Sequence, residues 1–199
     1  AGPAWEIATI FPNQGQWTEG DYLRLNTNRL VELSDGFVEV LPMPTTSHQR
    51  LVQFLSNLVL AFVQPRGLGT VLFAPLRVRL WDEMYREPDV VFLLARHARR
   101  IREDYWDGAD LVMAIVSDDD PKRDLVRKRR EYALAGIREY WIVEPREERI
   151  TVLMLRGKRY TVRGEHGPGE AAESALLKGF EADVSQVFAA GKGRERAGK

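Results

Sequence analysis

The sequence predicts a mixed α/β domain, a β-sheet flanked by helices, on three observations. Leu111 to Val116 is a continuous apolar run of the length expected of a strand buried on both faces, with a helical stretch and a second such strand behind it. Leu51, Val52, Leu55, Leu58, Val59, Phe62 and Val63 recur at helical spacing between His48 and Gln64, giving one broad apolar face to pack on a sheet. Turn-forming residues at Ser34-Asp35-Gly36 and Arg156-Gly157-Lys158 separate apolar runs and predict hairpins.

Taken in order, Thr18 caps a short helix whose first turn holds Glu19 and Asp21, where the helix dipole favours carboxylates. Leu30 to Leu33 and Phe37 to Leu41 form the first hairpin, and Pro42, Pro44 and Thr45-Thr46-Ser47 break the chain before the long helix. Strands are expected at Thr70 to Phe73, Leu76 to Leu80 and Asp89 to Leu94, then a short basic helix near Arg96 to Arg102. After Leu111 to Val116, Asp120 and Pro121 make an N-cap and first-turn pair for a helix that runs to Ala135 and stops at Gly136. Tyr140 to Val143 is a buried strand, and Arg149 to Leu155 pairs with Arg159 to Arg163. A single domain over 1–190 is expected, with the Gly, Arg and Lys tail of 191–199 disordered.

Composition removes several function classes. The chain has 199 residues, 44% of them hydrophobic and 29% charged, enough for one core without metals or disulfides. With no cysteine there is no disulfide scaffold, thiolate zinc site or cysteine nucleophile. The longest apolar runs, Leu58 to Val63 and Val90 to Ala95, fall far short of the roughly 20 residues of a membrane span. No leader of basic and then apolar residues opens the chain, so a cytoplasmic location is the default expectation. The glycine fingerprints of dinucleotide and NTP sites are missing. Net charge is zero, which argues against non-specific coating of nucleic acid, yet 23 of the 29 basic residues are Arg. They cluster at Arg96, His97, Arg99, Arg100 and Arg102 and again at Lys122, Arg123, Arg127, Lys128, Arg129 and Arg130, where a solvated helix face is the bland reading.

Lys128 is the main oddity. At 100° per residue it shares a stripe with Leu125, Tyr132 and Ala135, while Arg123, Arg127 and Arg130 lie opposite. An ammonium on a core-facing stripe must be paired or border a cavity; snorkelling or an i,i+4 pair with Asp124 is the structural alternative. Asp89 follows Pro88 at the mouth of a strand, a common place for a metal carboxylate and also for an ordinary boundary residue. Glu32 lies between Val31 and Leu33, on either the solvent side of an alternating strand or the side of a site. His48, at a helix start, could meet a phosphate or cap the helix, with capping favoured. His97 and His166 read as surface residues, and Asp118, Asp119 and Asp120 as turn and cap residues.

In this order the parts resemble the Uma2 family, restriction endonuclease domains of the PD-(D/E)XK nuclease superfamily. The matching stretches are Glu32 with Asp35-Gly36; Pro42 through His48; Glu87-Pro88-Asp89-Val90-Val91-Phe92; Asp124, Lys128 and Tyr132; and Ala135 through Val143 with Pro145. The resemblance covers about residues 18 to 160. It implies a restriction-endonuclease-like mixed sheet, Asp89 as first metal carboxylate, Lys128 as a lysine moved from the sheet onto the next helix, Glu32 as outer acid and His48 as a further site residue.

One departure matters. The family usually carries a glutamate in the strand leading to Ser117, at the position of Ala114, so the second metal carboxylate is missing. Alanine there reads equally as natural decay or as a deliberate inactivation. What remains is Asp89, the Ile115 carbonyl and Glu32, a set expected to hold Mg²⁺ (or Mn²⁺) weakly. The implied function is metal-dependent hydrolysis of nucleic acid, DNA above all, impaired in this chain, with the Arg clusters on the phosphate backbone. Rival readings are a non-catalytic DNA-binding or regulatory module and an interaction protein for acidic partners. No membrane is implied, and a homodimer is compatible with the resemblance.

Overall fold

The computed structural model describes residues 11–27, 29–117 and 120–192. Helix α1 (Glu19–Arg24) starts at a capping box in which the Thr18 hydroxyl accepts from Asp21 N and the Asp21 carboxylate accepts from Thr18 N. Strands β1 (Val31–Ser34) and β2 (Phe37–Val40) form the expected hairpin, with Asp35 and Gly36 both at positive φ, as a tight two-residue turn requires. Helix α2 (Thr46–Val63) follows, then β3 (Gly69–Phe73), β4 (Val78–Trp81), β5 (Met84–Arg86) and β6 (Val90–Leu94). A 3-10 helix (Ala95–Arg100) leads to β7 (Trp106–Asp107) and β8 (Leu111–Ile115). Helix α3, π-helical over Arg123–Lys128 and α-helical over Arg129–Leu134, connects β8 to β9 (Glu139–Glu144). Strands β10 (Arg149–Arg156) and β11 (Arg159–His166), the pair β12 (Ala171–Glu173) and β13 (Glu181–Asp183), and α4 (Val184–Lys192) complete the described chain.

The strands make a six-stranded sheet ordered β11-β10-β9-β8-β6-β3 and a five-stranded sheet ordered β2-β1-β5-β4-β7. In the larger sheet β8 and β9 run parallel, as a helical crossover requires, and the other pairs are antiparallel. Its two faces carry separate cores. Leu111, Met113, Ile115, Trp141 and Val143 pack with α2 and α4, whereas Val112, Ala114, Tyr140 and Ile142 pack with Tyr132 and Ala133 of α3. A third cluster of Trp17, Tyr22, Val31, Leu33 and Tyr85 holds the hairpin. The architecture is therefore a mixed α/β fold flanked by helices, as expected, with a second, smaller sheet beside the one anticipated. No helix among the described residues is long and apolar enough to cross a membrane.

Several expectations need correction. The strand expected from Leu76 starts later, at Val78, because Pro75 and Leu76 belong to the connection, and β5, β7, β12, β13 and α4 were not foreseen. The last helix runs through Gly191, whose Cα packs so near Leu51 that a Cβ would meet it at 3.0 Å, and Lys192. Expectations for Asp118, Asp119 and 193–199 fall outside the described residues. Asp120 caps α3 as expected, its Oδ1 accepting from Arg123 N at 3.3 Å.

Candidate active site

The cleft lies where β6 begins and β8 and β9 end, toward the smaller sheet. It measures about 640 Å³ and is lined by His48, Glu87, Asp89, Ile115, Asp124 and Lys128 among others. Asp89 is the last residue before β6. Its Oδ2 accepts from Ile115 N at 2.7 Å and its Oδ1 lies 2.8 Å from His48 Nε2. The favoured capping role of His48 is thus overturned: Thr45 is the N-cap of α2, its hydroxyl accepting from His48 N at 3.2 Å, and the imidazole is free to reach Asp89. Burial works against a charged imidazole here, but the hydrogen bond to Asp89 and the charges of Asp89 and Asp124 together outweigh it and raise the His48 pKa.

Glu32 faces inward. It is 1% exposed, its Oε1 accepts from Glu87 N at 3.1 Å and stands 3.4 Å from Lys128 Nζ, and its Oε2 is 3.7 Å from Arg86 Nε. Burial opposes its ionisation, yet the cations of Lys128 and Arg86 hold its carboxyl below the usual range. Lys128 is 5% exposed and also contacts Asp124 at 3.2 Å, so both anticipated readings hold: it lines the cleft and it is paired within its helix. Burial disfavours its charge, and the surrounding Glu32 and Asp124 more than restore it, so its pKa is raised. Burial raises the pKa of Asp124, against the pull of Lys128 and with the push of Asp89.

The π turn explains why Arg123, expected on the far face, is 6% exposed and reaches Glu39 at 3.1 Å. At i→i+5 winding, residues 123 and 128 return to one face, where α-helical spacing would set them about 140° apart. The Tyr140 hydroxyl donates to the Asp124 carbonyl at 3.1 Å inside this turn. His97, expected on the surface, instead bonds Asp110 at 2.7 Å.

Ala114 is 1% exposed and sits on the face of β8 that packs against α3. Val90 pairs with Met113, so one further step along the antiparallel ladder brings Asp89 opposite Ala114. Opposed side chains of such a ladder stand about 5 Å apart, so a carboxylate at 114 would lie beside Asp89 and face the helix that carries Asp124 and Lys128. As the residues stand, they do not fit a divalent cation. Both Asp89 oxygens are engaged, Glu32 is neutralised, position 114 is a methyl group, and no group of three His, Asp or Glu among the described residues could hold a metal ion.

Reading the sequence alone missed two members of the site. Arg86 is buried, pairs with both Glu131 oxygens at 2.8 Å and donates to the Leu33 carbonyl, locking β5 to β1 and α3. Glu87 is 6% exposed, and its Oε2 has no hydrogen-bond partner among the described residues. Burial, with nearby Glu32, pushes its carboxyl up to about 7. The run Glu87-Pro88-Asp89 was the available signal for Glu87; nothing local marks Arg86.

Comparison with known proteins gives two findings. Residues 19–185 match the Uma2 family model, described as "Putative restriction endonuclease". Among solved structures, a "putative nuclease belonging to DUF820" from Anabaena variabilis superposes with a TM-score of 0.72 at 15% identity, covering 88% of this chain and 99% of the other. No curated protein matches the chain significantly in sequence.

Proposed function

From the premise that the chain belongs to the Uma2 family, we propose that it binds nucleic acid, DNA above all, in the cleft beside Asp89, on a PD-(D/E)XK nuclease scaffold whose hydrolytic centre is incomplete at position 114. The observation that carries this is the placement of Ala114. It stands opposite Asp89 across the ladder, on the face of β8 that packs against α3, so a carboxylate at this position would lie beside Asp89 and face the helix of Lys128. Lys128 is kept charged by Glu32 and Asp124 and offers its ammonium to a phosphodiester entering the cleft. His48 braces Asp89 from the other side, and the Ile115 amide fixes the carboxylate plane.

The test uses the chain as it stands, Ala114→Glu, and Ala114→Glu combined with Asp89→Ala, each incubated with supercoiled plasmid and single-stranded DNA in Mg²⁺ and in Mn²⁺. Cleavage by Ala114→Glu alone, lost with Asp89→Ala, is the expected result. The second reading, a non-catalytic DNA-binding or regulatory module, is favoured by the protein's own hydrogen bond to each Asp89 oxygen, from His48 on one side and the Ile115 amide on the other. Correctly folded variants that bind DNA with strong salt dependence and never cleave it would select that reading.

A further inference from the structure

The end of the large sheet remote from the cleft carries a row of arginines, among them Arg96, Arg99 and Arg100 of the first basic cluster, which stands at the opposite end of the strands from Asp89 and so does not line the cleft. The 3-10 helix after β6 presents Arg96, Arg99 and Arg100, β9 opens behind Arg138, and the β10–β11 turn is flanked by Arg156 and Arg159. All six are exposed. Strand order and register put them at one end: Gly69 pairs with Leu94, Leu111 with Glu139, Met154 with Glu139, and Leu155 N donates to the Arg138 carbonyl at 2.9 Å. The cleft residues Asp89 and Ile115 lie at the other end of the same strands. The length of β6 separates the two, roughly 17 Å at about 3.3 Å per residue.

The row is anchored. Asp110 is 2% exposed; its carboxylate accepts from Leu94 N at 2.9 Å and meets His97 Nδ1 at 2.7 Å, and its carbonyl accepts from Arg138 N at 3.1 Å. One buried residue therefore ties the 3-10 helix to the start of β9. From β11 to β6 is four strand steps, about 19 Å at roughly 4.8 Å each, which spans some five or six base-pair steps of duplex at about 3.4 Å. No carboxylate pairs with any of these six arginines among the described residues. The acids of this end are Asp110 and Glu139, buried and hydrogen-bonded, Asp107, which pairs with Arg79, and the exposed Glu103 and Asp104.

We propose that this arginine row is a second nucleic-acid-binding surface, set at the opposite end of the sheet from the cleft and contacting the phosphate backbone. The inference rests on the nucleic-acid reading of the cleft and gives the protein two places to hold one long or two separate duplex segments. Guanidinium groups match phosphate oxygens bidentately, which suits a backbone contact without base reading. A protein partner fits less well, because its interface would need an apolar centre and Ile101, 37% exposed, is the only large apolar side chain exposed along the 3-10 segment.

Fluorescence anisotropy with a labelled duplex of about 20 bp, titrated between roughly 50 and 200 mM salt, tests the surface. The variants are Arg96→Gln/Arg99→Gln/Arg100→Gln and Arg138→Gln/Arg156→Gln/Arg159→Gln, with Arg24→Gln/Arg50→Gln/Arg163→Gln as a control that removes equal charge elsewhere. Because all the substituted side chains are exposed, circular dichroism should report native folding for each. Each row variant is expected to lower low-salt affinity by about tenfold or more and to flatten the slope of log K against log salt by about 0.9 for each phosphate no longer neutralised, while the control does neither. Unchanged affinity and slope in both row variants, or an equal loss in the control, would overturn the proposal. So would tight binding of poly-glutamate without affinity for duplex, which would assign the row to an acidic protein. No cleavage is read in this assay, so it can fail while Ala114→Glu cleaves, or succeed while that variant is inert.

Discussion

Glu87 shows how much of the cleft is decided by burial of single groups. Its carboxyl titrates near 7 because burial and neighbouring Glu32 disfavour the anion. The folded protein therefore holds this proton through a pH range in which the unfolded chain, with an ordinary glutamate, has lost it. Stability contributed by the protonated form is fully present below the unfolded value of about 4.3 and is lost as pH rises toward 7. Glu87→Gln should then raise stability by about 1–3 kcal/mol at pH 8 and leave it nearly unchanged at pH 4. Urea unfolding of both proteins at the two pH values checks this, and an equal effect at pH 4 would contradict it. Side-chain destinations were legible where one residue broke a strong pattern. Lys128 on an apolar stripe was readable from the pattern, and Ala114 was singled out only by the family resemblance, since alanine does not interrupt the apolar run Leu111 to Val116; Arg86 and the inward turn of Glu32 depend on long-range pairing that no local pattern encodes.

Among the elements, α3 is where helical arithmetic failed and where that failure shapes the site. A π turn amounts to one extra residue in an α-helix. Val126, 65% exposed, lies within it and contributes little packing of its own. Deleting Val126 should relax the turn to α-helical winding and keep its flanks in phase, because Arg123 and Lys128 then stand four residues apart, about 40° round the helix, and Asp124 and Lys128 three apart, about 60°. Those spacings hold side chains within reach, so the ion pairs of Lys128 with Asp124 and of Arg123 with Glu39 should survive, and Tm should change by less than about 4 °C. Inserting one alanine after Val126 instead should turn Arg123 and Asp124 by about 100° relative to Lys128, break both pairs and cost about 2–4 kcal/mol, some 5–15 °C in Tm. Val126→Ala should change Tm by less than about 2 °C, and an equal fall in the deletion and the insertion would place the effect in chain length rather than helical phase. The long helix and both hairpins were readable because their patterns run over many residues. Strands β5 and β7 span three and two residues, too short for a period of two to show. Helix α4 did carry a signal, Val184, Val187, Phe188 and Gly191 at helical spacing, which its closeness to the charged tail concealed.

At the scale of the molecule, the cleft joins a deeply buried sheet to a lighter one. Strands β8 and β9 contribute to the cores on both faces, so their amides should exchange only through global opening, which for a domain of this kind costs about 5–15 kcal/mol. The β1–β2 hairpin rests on the small cluster of Trp17, Tyr22, Val31, Leu33 and Tyr85, and β2 is an edge strand with Phe37 and Val40 exposed. Its amides should exchange through a local opening that leaves the large sheet intact. Because Glu32 lies on β1 and Lys128 on α3, that opening parts the carboxylate from the ammonium and leaves Lys128 to Asp124 alone. Hydrogen exchange followed by mass spectrometry should give protection for 111–115 and 140–143 well above that of 31–40. Glu32→Gln should lower protection in the hairpin without touching the central strands. Equal protection in the two regions would mean that both sheets open as one unit and that Glu32 never leaves Lys128 short of global unfolding.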